Sequence, residues 1–120
     1  MTENELFALI NQALPGSVFL MLAPMERREP YVVYSLISGT PSLTLRGDAK
    51  ASQMNYRIDV YTRVRRDAVE IMNRIAALVD GCDGDPMIEN RQDLYEQDTR
   101  IHRVSLVLST WYQPGEEQTT

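Results

Sequence analysis

Between residues 53 and 79 the spacing of apolar residues changes from two to 3.6, and no other feature constrains the fold as much. Met54, Tyr56, Ile58 and Val60 alternate with Gln53, Asn55, Arg57 and Asp59. One side of an extended segment is therefore apolar and the other polar. From Asp67 onward, Ala68, Ile71, Met72, Ile75, Leu78 and Val79 recur at helical spacing. A half-buried strand feeds an amphipathic helix, which requires an α+β or α/β scaffold.

The rest of the chain supplies partners for these two elements. Thr2 and Glu5 have the spacing of a capping box, and Leu6, Phe7, Ile10 and Leu14 share one face of a helix over residues 3–14. Pro15-Gly16 ends that helix. Residues 18–22 read as a short strand. Residues 23–30 hold two prolines and four consecutive charges, which describes a surface loop. Residues 31–38 (YVVYSLIS) are rich in β-branched and aromatic side chains and read as a strand. Both of its faces are apolar until Ser35, as expected of an inner strand or of one covered by a neighbouring subunit.

Residues 39–51 have little core character. Leu43 and Leu45 alternate with Thr44 and Arg46, and Gly47-Asp48 closes the stretch. A long loop in a small domain is usually functional, and this one has the character of an arm that orders against a partner. A strand over 52–62 and a helix over 66–80 follow, the helix stopped by Gly81. Residues 80–86 are turn chemistry. A weak strand is expected near 91–95, then a turn at Asp98-Thr99, and a long strand over 100–112. The expected fold is α+β, a two-layer sandwich of two helices on a mainly antiparallel sheet of four to five strands. One domain spans 1–113, and residues 114–120 form a polar tail.

The chain has 120 residues, a net charge of −5, and 11 arginines against one lysine. An acidic chain is a poor general binder of nucleic acid, whose affinity comes from neutralised phosphates. Guanidinium groups instead suit paired contacts with carboxylates at protein interfaces. Cys82 is the only cysteine, so no internal disulfide forms, and a reducing compartment is expected. No secretion signal is read. The longest apolar run, 18–23, is too short to span a bilayer.

Each candidate site has a plainer reading that outweighs it. His102, the only histidine, would need a nearby carboxylate or nucleophile for acid–base work. In phase with Val104 and Leu106, it reads as a half-buried structural residue. Cys82 follows a helix C-terminus among Asp80, Asp83 and Asp85, where a thiolate is disfavoured. Those carboxylates with Glu89 lack the spacing of a calcium loop and read as a solvated turn. Arg57, Arg63, Arg65 and Arg66 form the one basic cluster, and salt bridges to the acidic 80–98 stretch of another copy explain it better than nucleic acid. No phosphate loop, paired-carboxylate motif or nucleophile elbow is present, so no cofactor or metal is expected.

Taken in order, several segments resemble a phage tail-completion (tail-terminator, head–tail joining) family. They are the short N-terminal helix, Pro-Tyr-Val-Val-Tyr at Pro30 to Tyr34, and a loop. An alternating strand ending in Val60-Tyr61 follows, then a helix with Ala68, Ile75 and Leu78, and a strand closing on Trp111-Tyr112. The resemblance covers about Leu6 to Tyr112. It implies a structural protein without catalytic residues, which forms a ring, typically hexameric, at the head-proximal end of the tail tube. There it would stop tube growth and offer a surface to the head connector. Its partners would be other copies of itself, the tail-tube protein and the connector, in the virion tail and, during assembly, the host cytoplasm. The residues expected at the assembly interface are Leu43, Leu45, Arg46, Asp48, Lys50, Arg57, Asp59, Arg63, Arg65 and Arg66. Two alternatives stand beside this. One is a connector or minor tail protein of the same morphogenesis set. The other is a small cytosolic enzyme or ligand-binding domain built around His102.

Overall fold

The computed structural model describes residues 1–25, 28–42, 51–82 and 86–112. In chain order the elements are helix α1 (Glu3–Ala13), strands β1 (Val18–Leu20), β2 (Tyr31–Ser42) and β3 (Ala51–Thr62), helix α2 (Arg65–Asp80), and strands β4 (Met87–Glu96) and β5 (Ile101–Tyr112). The strands form one five-stranded sheet in the order β1-β2-β3-β5-β4. Only β1 and β2 pair in parallel; the other neighbours are antiparallel. With both helices packed on the sheet, the fold is α+β.

Register puts the apolar alternation to use. Val32, Val60 and Val104 lie on one rung, Tyr34, Ile58 and Leu106 on the next, and Leu36, Tyr56 and Leu108 on the one after. All of these side chains except Leu36 are buried, and they face the helices. From α2, Ala68, Ile71, Met72, Ile75 and Val79 close the core, as the spacing predicts; Leu78 is only partly buried. Complete burial of a side chain such as Ile75 or Leu106 stabilises the fold by about 1.5–3 kcal/mol.

Helix α1 departs from its expected face. Leu6, Leu9, Ile10 and Ala13 are buried and Leu14, at the C-cap, packs partly buried against the core as expected, while Phe7 is exposed. A helix lying on a sheet buries positions three and four apart, and residues 6, 9, 10 and 13 satisfy that spacing. Phe7 retains a tilted contact with Tyr34 at 6.2 Å. Half of the expected capping box forms: the Glu5 amide donates to Thr2 Oγ1 at 3.1 Å. At the other end Gly16 takes φ +75°, a left-handed turn that glycine tolerates, and its amide donates to Asn11 Oδ1 at 3.0 Å.

Three strands differ from expectation. β2 runs on to Ser42, so residues 39–42, expected in the arm, instead extend the ladder with β3, which satisfies their backbone groups. β1 stops at Leu20 because Met21 turns left-handed (φ +66°) and its amide donates to Tyr34 O at 2.8 Å. β4 is a full ten-residue strand rather than a weak one, and every one of its residues is exposed. It lies at the sheet edge beyond the helices, so neither face gains a cover and no alternation is selected. Residues 114–120, expected as a tail, lie outside the described residues, as do the arm residues 43–50.

Candidate assembly surface

The sheet face turned away from the helices carries the polar row of β3. Arg57 is exposed on it, whereas Asp59 is buried and faces Arg103 of β5, Oδ1 to Nε at 3.9 Å. That separation is too long for a hydrogen bond, and neither atom has another partner. The Arg103 guanidinium lies 6.0 Å from the Tyr61 ring centre, and Tyr61 stacks on Tyr31 at 4.9 Å. Phe19 of β1 meets Tyr31 edge-on at 6.4 Å. Burial, which lowers the Arg103 pKa, is outweighed by a hydrogen bond to Tyr61 and by the charge of Asp59, so the net shift is upward. Burial, then Tyr61, Glu29 and Glu96, raises the Tyr31 phenol.

The remaining predicted arginines differ in their partners. Arg63 pairs with Glu29 at 3.4 Å. Arg65, at the start of α2, pairs with Asp93 of β4. Arg66 is exposed on the same helix, and among the described residues it forms no ion pair. An acidic partner for Arg65 was expected from another copy; the chain supplies it from its own edge strand. Leu43, Leu45, Arg46, Asp48 and Lys50 lie outside the described residues.

Neither side chain with reactive potential is set up for chemistry. His102 is half-buried, with its ring 4.6 Å from that of Tyr95. Among the described residues no carboxylate bonds to it. Cys82 donates from Sγ to Leu78 O at 3.2 Å and packs against the core. No group of three or more potential metal-ligating side chains occurs among the described residues; Asp83 and Asp85 fall outside them. No helix among the described residues is long and apolar enough to cross a membrane.

Two surfaces escaped the sequence reading. After β1, Leu20, Met21, Leu22 and Met25 are all exposed. Met21, Leu22 and Met25 line a groove of about 390 Å³ that also touches Tyr31, Tyr61 and Ile101. Methionines and leucines gathered in one short segment were the available signal, but Leu20, Met21 and Leu22 were expected in a strand over 18–22 and only Met25 in the loop, so the group was not read as exposed. The second surface is β4, where Met87, Ile88, Leu94 and Tyr95 are exposed. Three of its charged residues turn toward their own chain: Glu89 to Ser109 Oγ at 3.0 Å, Arg91 to Asn73 Oδ1 at 2.8 Å, and Asp93 to Arg65. Exposed apolar residues on an open sheet edge are the mark of a contact surface.

Residues 1–113 match the model of a protein family, Tail completion protein gp17. The chain belongs to this family. As a tail completion protein it has a structural role in the virion tail, and the family is generally non-enzymatic. Its fold is shared with a chain from a solved structure, the virion of a native gene transfer agent (GTA) particle. The TM-score is 0.55 at 14% identity, covering 88% of this chain and 85% of that one. Comparison with curated proteins finds no match.

Proposed function

We propose that this tail completion protein caps the tail tube as an oligomeric ring, with six copies the expected number, and presents a surface for joining to the head. The observation that carries the reading is the ten-residue edge strand β4, held in the sheet yet uncovered on both faces, in a chain of the tail completion family. A strand left open in this way is suited to contact with another protein. The partners are further copies of the chain, the tail-tube protein and the head connector, met in the host cytoplasm during assembly. Residues 43–50 with Arg57, Arg63 and Arg66 supply polar contacts to them.

Electron microscopy of tails assembled without the protein tests this. Tails of irregular, extended length that fail to join heads are the expected result. Tails of normal length that join heads normally would overturn it.

A further inference from the structure

We infer that adjacent copies in the ring join sheet to sheet, the outer edge of β4 on one copy pairing with the outer edge of β2, over residues 35–38, on the next. The inference rests on the ring proposed above and specifies how it closes. Among the described residues both edges are open. β4 ends the sheet, and β1 covers β2 only at Val32, Val33 and Tyr34. Beyond Tyr34 no described strand pairs with the outer side of β2. Each edge presents backbone N–H and C=O groups that a second strand satisfies. Each also carries a one-residue irregularity beside the level of Leu36 and Ile88, Ile37 in β2 and Glu89 in β4, on opposite sides of that level, so residues 35–38 and 87–90 span the same rungs and the two ladders stay in step.

Direction and level agree. β2 is antiparallel to β3, β3 to β5, and β5 to β4, so β2 and β4 run in opposite senses. In a ring whose axis lies along the strands, rotation preserves those senses. The β4 strand of one copy then meets the β2 strand of its neighbour antiparallel, the stronger ladder. One rung runs Leu36, Tyr56, Leu108, Ile88 across the sheet. Its inner residues are buried, while its ends, Leu36 and Ile88, are 47% and 43% exposed. The neighbouring rung, Ser38, Asn55, Ser109, Met87, ends on Met87 at 61% exposure. Without any shift along the axis, Ile88 of one copy reaches Leu36 of the next, and the apolar row continues across the boundary.

Charge permits the contact. Residues 35–38 carry none. The charged residues of β4 nearest the contact, Glu89 and Arg91, are bonded to Ser109 and Asn73 of their own chain. An uncharged segment on one edge thus faces residues 87–90 on the other, whose one charge, Glu89, accepts a hydrogen bond from Ser109 of its own chain. The contact is heterologous, since different surfaces meet, so it continues from copy to copy instead of stopping at a dimer, and it closes into a ring where the rotation between copies permits.

Cysteine cross-linking in assembled tails tests the pairing. Leu36→Cys and Ile88→Cys are introduced together and singly in a Cys82→Ser background. Tails are oxidised and run on a non-reducing gel, and tail length is scored in the same samples. The expected result is a ladder of cross-linked multimers for the double variant and monomer for each single one. Ser38→Cys with Met87→Cys, on the neighbouring rung, repeats the test should the first pair fold poorly. Monomer alone from both folded double variants overturns the inference. So do dimers from Ile88→Cys by itself, which would mean β4 pairs with β4. A ladder together with tail lengths that do not depend on the protein would leave the pairing standing and overturn the capping function.

Discussion

Arg65 on α2 and Asp93 on β4 form an ion pair that ties the helix layer to the uncovered edge of the sheet. With the Arg91–Asn73 hydrogen bond, it gives β4 two side-chain links to α2 in place of a packed face. The links hold the strand in plane and leave its outer edge open. Both partners are solvent-exposed, so the pair adds position more than stability.

A double-mutant cycle on Arg65→Ala and Asp93→Ala is expected to give a coupling of about 1 kcal/mol or less in thermal unfolding, weaker still in high salt. Amide exchange in β4 should nevertheless accelerate in either variant, because local opening is governed by local ties. Unchanged protection in β4 would remove the anchoring role.

The two charged residues of β3 are expected to separate. Asp59→Ala leaves the half-buried Arg103 beside a lost charge and should destabilise the fold by about 1 kcal/mol. Arg57→Ala, on an exposed site, should change stability by about 0.5 kcal/mol or less, with any effect falling on assembly. Thermal melts of both variants, with tail joining scored in parallel, check this contrast.

Arg46→Glu and Lys50→Glu should weaken assembly more than folding, since both lie in the segment proposed as a contact arm. Melting temperatures near wild type with reduced incorporation into tails are expected. Equal losses in both would count against a specific contact.

Alkaline stability should follow the buried phenols. Burial, then Glu3 and Tyr34, pushes Tyr56 up to about 12, and burial also raises Tyr34 and Tyr31. The folded chain holds these protons more tightly than the unfolded chain, whose tyrosines titrate near 10. The stabilisation is therefore complete below about pH 10 and is lost as pH rises towards about 12. Tyr56→Phe should show a shallower fall in melting temperature over that window, and identical slopes would refute the assignment.

In the core, Leu106→Ala should cost about 2–5 kcal/mol, since its side chain is enclosed between Ile58 and the helix layer. Urea titration with an unchanged slope and a lowered midpoint is the expected result.

Local periodicity made much of this fold legible in the sequence. The alternation through Tyr56, Ile58 and Val60, the helical spacing through Met72 and Ile75, and the alternation through Val104 and Leu106 each mark a face that must be buried. A buried face leaves a trace at short range, and the family resemblance rests on the order of those traces. The face of α1 was misread by one position because Phe7 and Leu9 compete for it in sequence, and only the sheet beneath decides which is inside. β4 left almost no trace: a strand covered on neither side has no reason to alternate. The parallel seating of β1, the pairing of Arg65 with Asp93, and the placing of Leu36 and Ile88 at opposite ends of one rung were decided by tertiary structure alone. Each depends on segments far apart in the chain meeting in one register, and no local pattern encodes that register.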